Sequence, residues 1–207
     1  MKSYKTEIKR MKHRGFYDKK TINEIIDQTC FCHISFVIDN SPFIIPVNFG
    51  RYENFIYVHG AHNSRLINHL EAENEVAIAF TIADALVLTK SSIHTSFNYH
   101  SVIAYGKGKT VNTYEEKMFA FEIMFNQMLK GRWEEIRKPN EHELESVAII
   151  KIDISQASAK IREGFSKDNT EDQDLDIWSG LLPYKKGFDT PIPDEYSEKT
   201  TIPNYFD

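Results

Sequence analysis

The sequence predicts an α+β protein built on an antiparallel β-barrel, closed or split, of about six strands with peripheral helices. Two observations predict it. Between residues 30 and 60, segments rich in β-branched and aromatic residues follow one another through tight turns, with no room for crossover helices. Helical apolar periodicity is confined to a few short segments and one longer one, inserted between late strands. A barrel also removes the edges that such apolar strands would otherwise expose.

The elements follow in order. "TINEIIDQT" opens on Thr21 with Glu24 three residues later, a capping box that starts a short helix. Residues 30–39, "CFCHISFVID", form the first strand, and "DNSP" is turn chemistry. "FIIPVNFG" is the second strand. Its Pro46 removes a ladder hydrogen bond, so this strand lies at an edge, is bulged, or is split. "FIYVHG" is the third. In "AHNSRLINHLEAEN", Asn63 serves as N-cap, and Leu66, Ile67 and Leu70 share one helical face. "EVAIAFTIADALVLTK" is two strands, or one strand bent at Asp84, and "YHSVIAYGKGKTV" is another strand with a glycine bend. "TYEEKMFAFEIMFNQMLK" carries a capping box (Thr113, Glu116) and an apolar stripe at Met118, Phe121, Phe125 and Met128. "ELESVAIIKIDISQASAKI" gives the last strand. The chain then turns polar. This divides it into a barrel domain, residues 1–165, and an extension, residues 166–207, expected to lie on the barrel or on a dimer partner.

Bulk properties narrow the function. The 207 residues, 41% hydrophobic and 27% charged, have ordinary globular composition. A net charge of -5 argues against a nucleic-acid binder. No apolar run approaches the roughly 20 residues that span a bilayer, and the basic N-terminus lacks the apolar core of a secretory signal. Cys30 and Cys32, one residue apart, make a poor disulfide framework and suit a reduced, cytoplasmic protein.

Three stretches carry candidate chemistry. In "VHGAHNSRL" a strand runs into a helix start with Ser64 and Arg65: either a phosphate-ready terminus or a capped surface helix with a solvated arginine. No GxGxxG or GxxxxGK[ST] is present, which removes the Rossmann dinucleotide site and the P-loop. His59, His62, His69, His94 and His100 have no HExxH or CxxC context, so no metal site is assigned. Cys30, Cys32 and His33 read as core or pocket-lining residues. In "SSIHTSFNYHSV", residues 91–102, serines, histidines, Asn98 and Tyr99 crowd ahead of a strand. No G-x-S-x-G elbow supports a nucleophile there. From residue types alone the stretch is a polar loop, and a pocket wall is the alternative. Trp133 reads as a packing anchor after the long helix. Trp178 stands in a polar extension and needs a surface to dock on, over a ligand or a partner subunit.

The ordered series "RGFYD", "CHISFV", "PFIIPVNFGRYENFIYVHGAHNSR", "DALVLTKSSIHTSFNYHSVIAYGKG", "GRW", "SAKIREG" and "WSGLLP" resembles the pyridoxamine 5′-phosphate oxidase-related flavoproteins. It is most similar to the branch that includes the nitroimidazole-resistance (Nim-type) proteins. The resemblance runs from Arg14 to Pro183. It implies an FMN-binding split barrel, a homodimer with the flavin at the interface, and FMN as cofactor, with FAD possible. It places Ser64 and Arg65 at the flavin phosphate. Leu66 departs from the lysine of the true oxidases, which leaves Lys90 or a residue of the Ser91–Ser101 stretch to supply the second contact. Val47, Asn48 and Phe49 correspond to the strand whose backbone faces the flavin ring. His59 corresponds to the histidine near the flavin in Nim-type proteins. Ser91, His94, Asn98, Tyr99 and Ser101 form a further wall, and Trp178 a cover. His59 and Tyr99 are the candidates for substrate contact or proton supply. The implied activity is reduction of a small acceptor such as a nitro-aromatic. The alternatives are a non-catalytic flavin-binding or redox-sensing protein, and a haem-binding split barrel. No nucleic acid or membrane partner is expected. The substrate-binding Arg and His pattern of the true oxidases is not evident near the C-terminus.

Overall fold

The computed structural model describes residues 3–197. It is an α+β fold around one antiparallel, ten-stranded sheet. The strands are β1 (Gly15–Phe16), β2 (Phe31–Ile38), β3 (Ser41–Asn48), β4 (Gly50–Tyr52), β5 (Phe55–Gly60), β6 (Glu75–Leu88), β7 (Ser96–Thr110), β8 (Ala148–Asp153), β9 (Gln156–Arg162) and β10 (Gly180–Pro183). The helices are α1 (Lys19–Asp27), α2 (Arg65–Glu71), α3 (Tyr114–Met128), α4 (Arg132–Glu135) and α5 (Glu141–Glu145). Ten strands replace the expected six or so for local reasons. The last expected strand breaks in two because the Asp153 carboxylate accepts from Ser155 N (2.7 Å) and turns the chain between β8 and β9. Its first residues belong instead to α5, capped by a reciprocal Asn140–Glu143 box.

The sheet runs β3-β2-β6-β7-β8-β5-β4, with β9 on β7, β1 on β9 and β10 on β6. β2 and β3 pair along their whole length through a turn in which Asp39 and Asn40 have φ of 50° and 60°. Such a turn matches the twist of a hairpin. Pro46 is accommodated because β3 is an edge strand, bonded only to β2. β6 is a single strand with a register shift between Ala83 and Ala85, so Asp84 sits on a bulge.

Side chains alternate across this sheet. Ile34, Ile78, Ala104 and Ala157 lie in one paired row inside the barrel, all buried, and α1 and α2 close it with Ile22, Ile25, Ile26, Leu66, Ile67 and Leu70. Two helix caps differ from expectation. Asp18, not Thr21, caps α1 and accepts from Thr21 N at 2.9 Å. Ser64, not Asn63, caps α2. Both shifts are of one to three positions, the ordinary imprecision of end signals.

α3 begins at Thr113 as expected. Its most buried face is Ala120 and Met124 rather than the predicted stripe. The cause is Gly50 on β4, where a Cβ would lie 2.5 Å from backbone atoms of Ile123 and Met124. The helix backbone therefore rests directly on the strand, and the Met118–Phe121–Phe125–Met128 stripe is left half-buried beside it. Among the described residues no helix is long and apolar enough to cross a membrane.

Candidate functional site

The predicted residues fall into three groups. The first lies at the end of β5 and the start of α2. His59 faces α3 and its ring stacks on Phe121 at 5.6 Å and 28°. Its Nδ1 is buried without a hydrogen-bond partner, and burial pulls its pKa down. The imidazole is thus held toward its neutral form, with a ring nitrogen that no described residue satisfies. Arg65 is exposed, its guanidinium carbon 4.3 Å from the Phe43 ring, with no carboxylate partner among the described residues. Ser64 spends its hydroxyl on Ile67 N at 3.2 Å, so it is first a helix cap. Asn48 donates from Nδ2 to the Met128 sulfur at 3.3 Å. Val47 packs against the core, and Phe49 is fully buried, edge-on to Phe80 at 5.1 Å. Phe49 can therefore offer a ligand only its backbone. The half-buried α3 stripe reaches this region through Phe121 on His59 and Met128 on Asn48, while Phe125 packs on Trp133, which is buried as expected of an anchor.

The second group is the loop after β6. Asp168 of the C-terminal extension accepts from Lys90 N (3.0 Å), Ser91 N (3.1 Å) and Ser91 Oγ (3.2 Å). The Lys90 ammonium donates to the carbonyls of Gln173 and Leu175. Lys90 and Ser91 thus hold the extension against the barrel, and their donors are engaged. His94 Nε2 is buried without a partner. Trp178 is 67% exposed, its indole lying over Gly180. Beyond it β10 pairs with Ala85–Leu88 of β6.

The third group lies where β7 meets β9. The register places Ala83, Tyr99 and Arg162 in one row and Thr81, Ser101 and Lys160 in the next, on the sheet face opposite the barrel core. Ser101 Oγ donates to Lys160 O at 3.3 Å. Asn98 is 5% exposed and accepts through Oδ1 from Arg162 Nη1 at 2.5 Å. Arg162 itself is 7% exposed, the only buried charged side chain among the described residues. It lies in the "SAKIREG" segment but is not singled out there as a site residue, being an arginine that closes a strand whose other outward residues are Gln156, Ser158 and Lys160.

This outer face is flat and apolar. It carries Ala77, Ala79 and Ala83 of β6 and Ile103 of β7. Exposed Phe31 and Val37 of β2 and Ile44 of β3 share it by register and alternation.

The family model described as Pyridoxamine 5′-phosphate oxidase matches residues 18–161. The chain belongs to that family. A search of curated proteins finds no match. Among solved structures, the flavocytochrome Anf3 from Azotobacter vinelandii is similar with a TM-score of 0.89 and 27% identity, covering 99% of this chain and 95% of Anf3. A FAD and heme binding protein from Mycobacterium smegmatis has a TM-score of 0.87 at 22% identity, covering 93% of this chain and 95% of its own. A protein described as a putative 5-nitroimidazole antibiotic resistance protein, from Bacteroides thetaiotaomicron, has a TM-score of 0.61 at 24% identity over 71% of this chain and 86% of its own. The pyridoxamine 5′-phosphate oxidase family fold, a split barrel, is therefore the fold of this chain. Its residues fit a flavin in kind: an unpaired guanidinium at the start of α2, a strand backbone beside it, an unmatched imidazole nitrogen and a half-buried aromatic wall.

Proposed function

We propose that this chain is a flavin-dependent redox protein, a homodimer that holds FMN or FAD at its interface and reduces a small acceptor such as a nitro-aromatic. The observation that carries the reading is the similarity to the flavocytochrome Anf3 over 99% of the chain, C-terminal extension included. The site supports it. Arg65 has a free guanidinium for a flavin phosphate, steadied by the face of Phe43. The backbone of Val47 to Phe49 is the surface for the ring, since the side chains of Val47 and Phe49 point into the core. His59, neutral and unmatched, is the group placed to accept or relay a proton, with Tyr99 on the outer face as the second candidate. A bound flavin supplies hydride and one-electron chemistry; the protein binds, orients and shields it.

A second reading adds haem, because Anf3 is a flavocytochrome. His59, His69 and His94 each have a buried ring nitrogen lacking a partner among the described residues, and so are the histidines with a nitrogen to offer.

A visible spectrum of freshly purified protein tests both. A band near 450 nm, roughly, reports flavin, and an added Soret band reports haem. Absence of the flavin band, even after reconstitution, would overturn the proposal, and absence of a Soret band would remove the second reading. Arg65→Ala should weaken flavin binding by about 1.5–3 kcal/mol, the range for a charge-assisted contact. Equilibrium dialysis of the released flavin measures this, and unchanged affinity removes Arg65 from the site.

A further inference from the structure

Burying a guanidinium without a counter-charge is costly, so proteins rarely do it. Arg162 is in that position. It sits on β9, 7% exposed, and its hydrogen-bond partners among the described residues are neutral: Asn98 Oδ1 at 2.5 Å and Phe97 O at 3.4 Å, both bonded by Nη1. A guanidinium has five N–H groups, and those on Nε and Nη2 have no partner among the described residues. Neither nitrogen is among the fully buried side-chain atoms that lack a partner, so both keep some contact with solvent. The larger charge influence on Arg162 has the wrong sign, with Tyr99 opposing it more weakly. Burial first, and the positive charge of Arg14 second, pull the Arg162 pKa down. Arg14 closes the turn before β1, and β1 pairs with β9 at Gly15–Lys160. The bond to Arg162 also fixes the Asn98 amide, turning its NH2 away from the guanidinium as a further donor.

We infer that Arg162, Asn98 and Arg14 form an oxyanion site that takes a phosphate or pyrophosphate group. The chemistry selects this class. Two guanidinium groups and an amide offer more donors and more positive charge than a single carboxylate matches, and the forked geometry of arginine suits phosphate. The site is separate from the Arg65 phosphate contact, which lies at the other side of the sheet beside β3. The anion is either a free phosphate compound or the second phosphate of a dinucleotide cofactor.

Holoprotein exchanged into phosphate-free buffer provides the test. Inorganic phosphate and pyrophosphate are titrated by calorimetry into wild type, Arg162→Gln and Arg14→Gln, and the flavin extracted from each is identified by chromatography. Arg14 is half-buried on a surface turn, so its variant decides the matter should Arg162→Gln fail to fold. The expected result is binding of added phosphate by wild type, weakened about tenfold or more in Arg162→Gln and severalfold in Arg14→Gln, as for lost charge-assisted contacts. If the cofactor's own phosphate occupies the site, wild type shows no response and the variants lose FAD while keeping FMN; the site then stands with the cofactor as its source. Equal phosphate binding in all three proteins overturns the inference. So does the absence of any response with unchanged flavin, or a change confined to the monomer–dimer equilibrium, which would make Arg162 the counter-ion of a carboxylate on a second copy. The free-phosphate outcome does not depend on a bound flavin and so fails separately from the flavin proposal; only the cofactor outcome rests on that reading.

Discussion

Gly50 shows how one residue sets the position of a helix. A Cβ there would come within 2.5 Å of the α3 backbone, which cannot yield as a side-chain tip does. Gly50→Ala should destabilise the protein by about 2–3 kcal/mol, typical of overpacking, with an unchanged denaturant slope. Urea unfolding measures it, and a loss below about 0.5 kcal/mol would mean that α3 simply moves away. The same close approach explains what the sequence could not show. The Met118, Phe121, Phe125 and Met128 stripe has helical spacing, but spacing cannot tell a core from a wall. Only the small residue on a distant strand makes Ala120 and Met124 the buried pair. Arg65 was legible because it stands in a motif, at a strand-to-helix junction. Arg162 was not, because its burial depends on a pairing 63 residues back in the chain, with Tyr99.

At the scale of elements, the bulge at Asp84 and the C-terminal extension form one device. Lys186 and His100 both meet the Asp84 carboxylate, His100 Nδ1 at 2.7 Å, and His100 Nε2 reaches Glu163 at 3.3 Å. Burial works against the Asp84 charge, but the hydrogen bonds from Lys186 and His100 outweigh it and hold its pKa below 3.8. Asp168 is lowered as well, chiefly by the backbone bond from Lys90. Groups with depressed native pKa values stabilise fully above their unfolded values and lose that contribution as pH falls through the native ones. The extension should therefore stay docked at neutral pH and loosen below about pH 4, in the range where such carboxylates protonate. Limited proteolysis across pH reads this. Asp84→Asn should make the extension sensitive at pH 7 already, and equal protection of variant and wild type at pH 7 would dismiss the clamp. The bend at Asp84 was readable from an acidic residue inside an apolar run. The strand β10 was not, because "GLLP" has neither length nor alternation and forms only where β6 offers an edge.

For the whole molecule, the outer face of the sheet is the surface on which the proposed dimer would form. Phe31, Val37, Ile44 and Ile103 are between 37% and 64% exposed on it, among small residues that let another surface approach. A contiguous apolar face of this kind marks an interface. If the proposed dimer forms through this face, Ile44→Glu with Ile103→Glu should leave a monomer at micromolar concentration, read by analytical ultracentrifugation. A wild type that is monomeric from the outset would refute the assembly. The barrel was legible in the sequence because turns and alternation are local signals. The face was not, because it exists only once β2, β3, β6 and β7 are in register. One consequence of that register concerns β10. It joins the sheet as a late fourth-quarter addition, bonded to β6 alone through residues 85–88 and preceded by a long irregular stretch. In architectural terms the extension is a donated strand, and the slot it fills on β6 is a template. A detached peptide carrying "WSGLLPYKK" would carry the same pairing residues and the same lysine to that slot.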